Sequence, residues 1–415
     1  MKSNYKRIGD YIREIKVLNK DLAVTDLRGI NIDKYFMPSV ANTIGTDMSK
    51  YKVVKNGQFA CNRMHVGRDK RLPISLHKED KNIIVSPAYT VFEVIEESLL
   101  NSEYLMMWFS RKEFDREAWY YTDADVRGGL SLNDLFNIKI PIPSIEIQKK
   151  IVKEYRSILS RIELNKNLVK KLDDLAQLIY KQWFEQFNFP SDNKLEYKKN
   201  GGKMKFDENL NRNIPLSWNV KSLNDIIEIK HGFAFKGEYI TNVENENILL
   251  TPGNFKIGGG FKDDNFRYYC GDFSEEYVLK EKDIIVTMTD LSVKCDTIGF
   301  PAFIPKTEHK KYLHNQRLGK VIYKIENISY FIYWTMRSLR YREEILSGVT
   351  GTTVKHTSPG KILEYKFPFC NDTQVLSKFE YLCDNIQKNI ELLNRENKKL
   401  RVLQGITLSK ISNYK

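Results

Sequence analysis

The chain has 415 residues, 41% of them apolar, with 5 Trp, 23 Tyr and 22 Phe; that is more than one hydrophobic core usually serves, so two or more domains are expected and a disordered chain is excluded. Lys and Arg outnumber Asp and Glu by 66 to 53, a formal charge of +13, which favours a polyanionic partner. No apolar run approaches the roughly 18 residues of a spanning helix, and the opening MKSNYKRIGDY lacks the apolar core of a signal peptide, so no membrane partner and a cytoplasmic location are expected. Cys61, Cys270, Cys295, Cys370 and Cys383 are scattered, with no CxxC pair and no His at ligand spacing. They are read as buried reduced thiols, with neither a metal site nor a disulfide framework.

In chain order, VVKNGQFACN from Val53 reads as a Lys-bearing turn leading into a short apolar strand. The polar stretch after it, NRMHVGRDKR, carries Asn62, Arg63, His65, Arg68, Lys70 and Arg71. Ser86-Pro87-Ala88-Tyr89 reads as the start of a strand, and YYTDADVRGG as a loop holding Tyr121 and Arg127. A long helix follows, in which Ile151, Tyr155, Ile158, Ile162, Asn165, Val169, Leu172, Ala176, Ile179 and Trp183 recur in alternating steps of four and three. That is a coiled-coil seam with Asn165 as its polar interruption. Pro190 ends the helix, and the polar, glycine-bearing SDNKLEYKKNGGKMKFDENLNRN reads as a linker.

A second globular unit begins near IPLSW, Ile214 to Trp218, and holds three further polar loops. TMTDLSVK carries Thr287, Thr289 and Lys294; HNQR is His314, Asn315, Gln316 and Arg317; TGTTVKHT carries Thr352, Thr353, Lys355 and His356. A second seam closes the chain through Phe379, Cys383, Ile386, Ile390, Leu393, Asn397 and Leu400, weakening at Gln404 and Thr407.

These elements repeat. VVKNGQFACN from Val53 answers VLKEKDIIVT from Val278, an offset of 225; Tyr104 and Trp108 recur as Tyr330 and Trp334 at 226; Pro141 recurs as Pro368; and IELNKNLVKKL from Ile162 answers IELLNRENKKL from Ile390. A nearly constant offset makes the chain two copies of one unit, each ending in a long helix. The expected domains are residues 1–145, a helix over 146–190, a linker over 191–212, a second domain over 213–370 and a second helix over 371–415. Two matched stripes, one per copy, are expected to pair with each other.

In IKIPIPSIEIQKKIVKEY, Ile138 to Tyr155, a proline-punctuated strand precedes Gln148 at the opening of a long helix; YKFPFCNDTQVLSKFEYL keeps Pro368 and Gln374 but not the second proline. IPLSWNVKSLNDIIEIKHGFAFKGEYI, Ile214 to Ile240, has Pro, Trp, Leu and a Gly-Phe-Ala-Phe turn in order. In these segments and in its whole architecture the chain resembles the specificity subunits of Type I restriction–modification systems. The start YKRIGDYI lacks the Pro and Trp usual at the head of the first domain, which leaves that boundary open. The resemblance implies two mixed α/β target-recognition domains, each reading half of a split DNA sequence. It implies two helices paired as an antiparallel coiled coil that fixes the domain spacing and docks two methyltransferase subunits. Those subunits would bind S-adenosylmethionine and methylate adenine, and restriction–translocase subunits would join them. The chain itself is then no enzyme and needs no cofactor.

Base reading needs donors in fixed geometry, Arg or Lys to guanine and Asn or Gln to adenine, whereas phosphate contacts need only charge and small donors. The loops named above supply such donors, so they are the expected DNA contacts, as groups more than as single residues. Two other classes compete. Ser86-Pro87-Ala88-Tyr89 resembles the SPPY-type motif of adenine methyltransferases, but Ala88 replaces the second proline and no GxG loop after a strand accompanies it. Glu196-Tyr197-Lys198 has the E-x-K form of metal-dependent nucleases, yet it sits in the polar linker with only Asp192 nearby. His314-Asn315 lacks the other ligands of a nuclease finger, and Gly258 to Gly260 opens no helix after a strand. A coiled-coil adaptor is the remaining alternative; a steep salt dependence of DNA binding separates it from a phosphate-contacting reader.

Overall fold

A computed structural model of the chain describes residues 5–39, 45–64, 66–122, 128–190 and 195–413. Two compact units emerge, Met1–Asn167 with Leu393–Lys415, and Leu168–Leu392. Among the described residues no helix is long and apolar enough to cross a membrane.

The first unit is organised by a four-stranded antiparallel sheet in the order Ile12–Ile15, Thr90–Val94, Gln58–Cys61, Ile74–Leu76. Strand side chains alternate in direction, and here the alternation feeds two cores. Phe59, Cys61, Phe92 and Val94 join the helices on one face. Ala60 and Val91 meet Val54, Ile83 and Val85 on the other. Covered on both faces, Gln58–Cys61 is buried throughout. Phe59 stacks on Phe92 at 4.9 Å, and Phe109 closes on Phe59 edge-on at 5.8 Å.

The second unit repeats this sheet strand for strand: Ile227–His231, Leu318–Tyr323, Ile284–Thr287, Pro301–Phe303, again all antiparallel. Ile284 and Val286 enter the helical core, while Ile285 faces Ile248, Ala302 and Leu318. The helices repeat too. Ser102–Phe109, Lys112–Tyr120 and Leu132–Asn137 correspond to Ser329–Thr335, Leu339–Ser347 and Pro359–Leu363. Ser131 and Ser358 cap the third helix of each set by accepting from the Asp134 and Lys361 amides. Each unit is closed by an antiparallel pair, Tyr5–Arg7 with Lys139–Pro141 and Asn219–Ser222 with Lys366–Phe369.

The second layer differs. In the first unit it comprises the pair Lys52–Val54 and Ile83–Val85 and the hairpin Arg28–Ile30 and Phe36–Pro38, tied by a parallel bridge from Leu27 to Ile84. In the second unit it is one five-stranded sheet, Ile240–Thr241, Arg267–Tyr269, Asn247–Leu249, Lys311–Leu313, Val278–Leu279, with a single parallel pairing, Asn247–Leu249 to Lys311–Leu313.

The long helices are Ile145–Tyr180, prolonged by a wider π-type turn at Lys181–Glu185, and Thr373–Lys410. Ile151 and Tyr155 pack on the core of the first unit, joined there by Ile411. Within that unit Arg161 donates to Glu396 at 2.8 Å, Asn165 to Asn397 at 3.2 Å and Gln404 to the Tyr155 hydroxyl at 3.0 Å. Within the second unit Ala176, Ile179, Tyr180, Trp183 and Phe184 share a core with Val375, Leu376, Phe379, Cys383 and Ile386. Every seam position named from the sequence through Leu400, including Ile158, Ile162, Val169, Leu172, Ile390 and Leu393, is buried or half-buried.

The stretch read as a linker carries structure from Leu195 onward. Met204–Asp207 pairs antiparallel with Arg212–Pro215, and Tyr197 stacks on Phe189 at 4.7 Å, which stacks on buried Trp218 at 5.1 Å. Lys199 pairs with Glu196 at 2.5 Å on the surface; Asp192 lies outside the described residues. Four cysteines are buried free thiols, but Cys270 is an exposed one, just past the end of the strand Arg267–Tyr269 with its Sγ on the Tyr239 carbonyl at 3.2 Å.

Candidate nucleic-acid interface

In the first unit the expected loop follows Gln58–Cys61. The Asn62 amide donates to the Pro73 carbonyl at 2.8 Å, and its side chain accepts from the Met64 amide at 3.1 Å. Arg63 is turned inward. Its Nε donates to Thr90 Oγ1 at 2.8 Å and its Nη1 to the Leu130 carbonyl at 2.5 Å, while the Leu130 amide returns a bond to the Arg63 carbonyl at 3.0 Å. Arg63 therefore straps residues 128–130 to the sheet. Arg68 and Arg71 are exposed, the first forked on Asp69 at 2.7 and 3.0 Å, the second reaching Asp33 at 3.1 Å. Lys70, at a φ of 53°, lays its ammonium 4.9 Å from the Trp119 ring. Trp119, Tyr120 and Tyr121 form an exposed aromatic run, with Tyr120 82% exposed. Beneath them Lys34 is buried against Asp115 at 2.7 Å, and burial holds its ammonium below the ordinary lysine range. His65 and Arg127 lie outside the described residues.

In the second unit the structure brings the three expected loops together. The Met288 amide donates to the Arg317 carbonyl and the Thr357 amide to the Met288 carbonyl, both at 3.1 Å, and Thr289–Asp290 pairs with Lys355–His356. The turn at Gly232–Phe235 joins them, since the Phe233 amide donates to the His314 carbonyl and the Gln316 amide to the Phe233 carbonyl at 2.9 Å each. A Cβ on Gly232 would come 2.3 Å from the His314 and Asn315 carbonyl oxygens, so only glycine fits that turn.

The predicted residues of this cluster divide into two groups. Thr287, Thr289 and His314 are interior. Thr287 donates to the Thr289 carbonyl at 3.1 Å, and His314 Nε2 bonds the Leu318 carbonyl at 2.9 Å. Burial lowers the His314 pKa to about 4, so the ring is neutral at pH 7 and orders the loop. Lys294, Gln316, Arg317, Thr352, Thr353 and His356 are exposed, and Asn315 and Lys355 are half-buried. Asn315 accepts from the Arg317 amide at 2.9 Å, and Lys355 donates to the Gly351 carbonyl at 2.8 Å.

Superimposing the two patterns exposes what residue-by-residue reading missed. HNQR connects Lys311–Leu313 to the central strand Leu318–Tyr323, and Ser86–Tyr89 connects Ile83–Val85 to the central strand Thr90–Val94. The first unit thus presents exposed Pro87 and Ala88 where the second presents Gln316 and Arg317. The offset between Pro87 and Gln316 is 229 against 226 at Tyr104, so the repeat offset alone does not align them.

Fold and loops together define a tandem-repeat protein, two copies of one mixed α/β unit joined to two long helices. The family model for the Type I restriction modification DNA specificity domain matches residues 33–174 and 215–401. The chain belongs to that Type I restriction–modification DNA specificity family. The specificity subunit of the Type I restriction enzyme MjaIX of Methanocaldococcus jannaschii is 26% identical over 319 residues, 74% of this chain and 66% of that protein. The MjaVIII specificity subunit of the same organism is 25% identical over 270 residues, 64% of this chain and 59% of that protein. The matches span about two thirds or less of the length of these two curated relatives. The crystal structure of a Type-I restriction-modification system S subunit from M. genitalium shares the fold at a TM-score of 0.55 and 14% identity, covering 98% of this chain and 95% of that one.

Proposed function

We propose that this chain is the DNA-specificity subunit of a Type I restriction–modification assembly, with residues 1–145 and 213–370 each reading one half of a bipartite duplex target. The observation that carries this reading is the duplicated sheet, the same four strands in the same order in both units, with polar loops at equivalent connections. The charge of +13 suits a duplex partner. Linking two modest readers raises avidity without new contacts.

The helices over 146–190 and 371–415 pair antiparallel as a coiled coil and fix the spacing of the half-sites, with the segment 191–212 between them. From Tyr155 to Arg161 and Asn165 the partners step back from Gln404 to Glu396 and Asn397, which supports that pairing. A helix of 36 residues is about 54 Å long, enough for a groove repeat of about 34–36 Å. Leu168, Leu175 and Leu178 stay exposed on the first helix, an apolar surface for the methyltransferase subunits. Those subunits carry S-adenosylmethionine and the adenine-methylating chemistry, restriction–translocase subunits add cleavage, and this chain is non-catalytic. Base and phosphate contacts come from the exposed members of the loops: Arg68, Lys70, Arg71 and Tyr121 in the first unit, and Lys294, Gln316, Arg317, Thr352, Thr353 and His356 in the second.

Mapping methylated adenines by single-molecule sequencing in cells that carry the system returns both half-sites and the gap. Exchanging residues 214–367 for the matching segment of a related subunit is expected to change one half-site and leave the other intact. A change in both halves overturns the assignment of one reader to each unit, and methyl transfer by the rigorously purified chain alone overturns the non-catalytic role.

A further inference from the structure

We propose that Leu291 and Val293 read thymine by apolar contact with its C5-methyl group, in the half-site served by the second unit. This rests on the DNA-reading role just proposed. Val293 is 93% exposed and Leu291 71% exposed. Single exposed apolar residues are ordinary, but these two stand on a loop whose backbone is fixed from both sides. The Asp290 carboxylate accepts from the Ser292 amide at 2.7 Å, the Thr297 amide at 2.6 Å, the Thr297 hydroxyl at 2.9 Å and the Ile298 amide at 3.2 Å. From outside, Arg342 donates to the Ile298 carbonyl at 2.5 Å and to the Cys295 carbonyl, while its guanidinium stacks on Phe300 at 4.5 Å. A loop ordered before binding loses little entropy on binding, and a β-branched side chain adds its own stiffness.

Charge complementarity selects the occupant. Lys294 follows directly, and Arg317 and His356 are exposed on the strands and loop bonded to Met288–Asp290. In a major groove, cations and small donors hold phosphates while base edges are read between them, and the thymine methyl is the apolar mark there. The first unit repeats the device: the loop after its third sheet strand exposes Met64 by 56%, beside exposed Arg68 and Lys70.

The test uses the full chain with its modification partners and a duplex carrying the mapped target, each thymine of both half-sites replaced in turn by uracil, which lacks only the methyl. At least one replacement in the second unit's half-site is expected to weaken binding about three- to tenfold, the worth of one or two buried carbons. Val293→Ala or Leu291→Ala should lose that difference, binding thymine and uracil duplexes alike, and Val293→Thr, which keeps one methyl, should retain part of it. Both positions are solvent-facing, so folding is unaffected. Sequence-specific binding that is indifferent to every uracil overturns the inference and leaves the specificity role standing. Variants that weaken thymine and uracil duplexes by the same factor overturn it as well. Absence of any sequence-specific binding by the native complex sinks the role itself.

Discussion

In both units an arginine three residues beyond a buried tryptophan lies over its indole, Arg111 on Trp108 at 4.1 Å and Arg337 on Trp334 at 4.4 Å, but the two guanidiniums end differently. Arg337 forks onto Asp173 at 2.9 and 2.8 Å and donates to the Gly258 carbonyl at 2.9 Å and the Tyr333 hydroxyl at 3.1 Å. Arg111 lies 3.6 Å from Glu113, and its Nε has no hydrogen-bond partner among the described residues. Asp173 comes from the first long helix and the Gly258 carbonyl from the enlarged second layer, where Gly258, Gly259 and Gly260 all have positive φ and a Cβ on Gly259 would press on Arg337 at 3.2 Å. A duplicated scaffold kept its sheet and its Trp–Arg pair, while Asp173 on the first long helix and the Gly258 carbonyl inserted between the shared strands together bond the second arginine.

The largest effect expected from this comparison is on stability. Removing one partner of a buried ion pair costs about 3–5 kcal/mol, and since the Asp173 side chain is 37% exposed the lower end applies to Arg337→Ala. Arg111→Ala should cost about 1–2 kcal/mol, the worth of a partly desolvated cation–π contact. Urea titration of the two variants reads the difference; equal losses would mean that the Asp173 and Gly258 bonds contribute nothing net.

Titration separates the units next. His314 is interior in the second unit, whereas the equivalent connection of the first holds Ser86, which does not titrate. With a folded pKa lowered to about 4, the histidine binds a proton in the unfolded chain first. Its stabilising contribution is therefore full above about pH 6.5 and is lost as pH falls through about 4, up to about 3 kcal/mol. Denaturation curves of the native chain and His314→Gln at pH 7 and pH 4.5 should diverge, with the variant flatter; parallel pH profiles would show that the buried ring is not held neutral.

Much of the scaffold was legible because it rests on local periodicity. The alternating four and three steps from Ile151 and from Phe379 mark both helices, and the offset between Val53 and Val278 marks the duplication. What depends on distant partners was not legible. Thr287 and His314 look like surface donors until Thr289 and Leu318 accept their bonds, and Arg63 looks like a base reader until Thr90 and Leu130 take its guanidinium. Tyr197 sits in a polar run, and only its stack on Phe189 shows that the run is anchored.

The inward turn of Arg63 narrows the set of residues proposed to contact DNA in the first unit. Arg63→Ala should lower stability by about 1–3 kcal/mol through two lost charge-assisted bonds and leave the salt dependence of DNA binding alone. Arg68→Ala and Arg71→Ala should leave stability unchanged. Whichever of them reads a base should lose about 1–3 kcal/mol on the specific site and relax one position, while a phosphate contact weakens all duplexes alike and reduces the salt slope by about one. Competition binding against single-base variants of the target distinguishes the two.

The smallest effect concerns how each unit joins the long helices. In the second unit the contact is aromatic, with Tyr180, Trp183 and Phe184 set 6.1, 6.0 and 4.9 Å from Phe379. In the first, beside the apolar contacts of Ile151, Tyr155 and Ile411, it includes a buried amide pair: Asn165 is fully buried, donates to Asn397 at 3.2 Å and leaves its own Oδ1 without a partner among the described residues. A buried, half-satisfied amide is destabilising by about 1 kcal/mol or more, and such a group in a seam fixes register at the expense of stability. Asn165→Leu combined with Asn397→Leu should therefore raise the unfolding midpoint, by an amount near 1 kcal/mol. Methylation should keep both half-site sequences but spread to gaps one base pair longer or shorter, because the seam has lost its register mark. A destabilised double variant would mean that the amide pair is a net stabiliser. A raised midpoint with the gap as strict as before would assign register to the aromatic contact of the second unit, and Phe379→Leu should then be the substitution that loosens it.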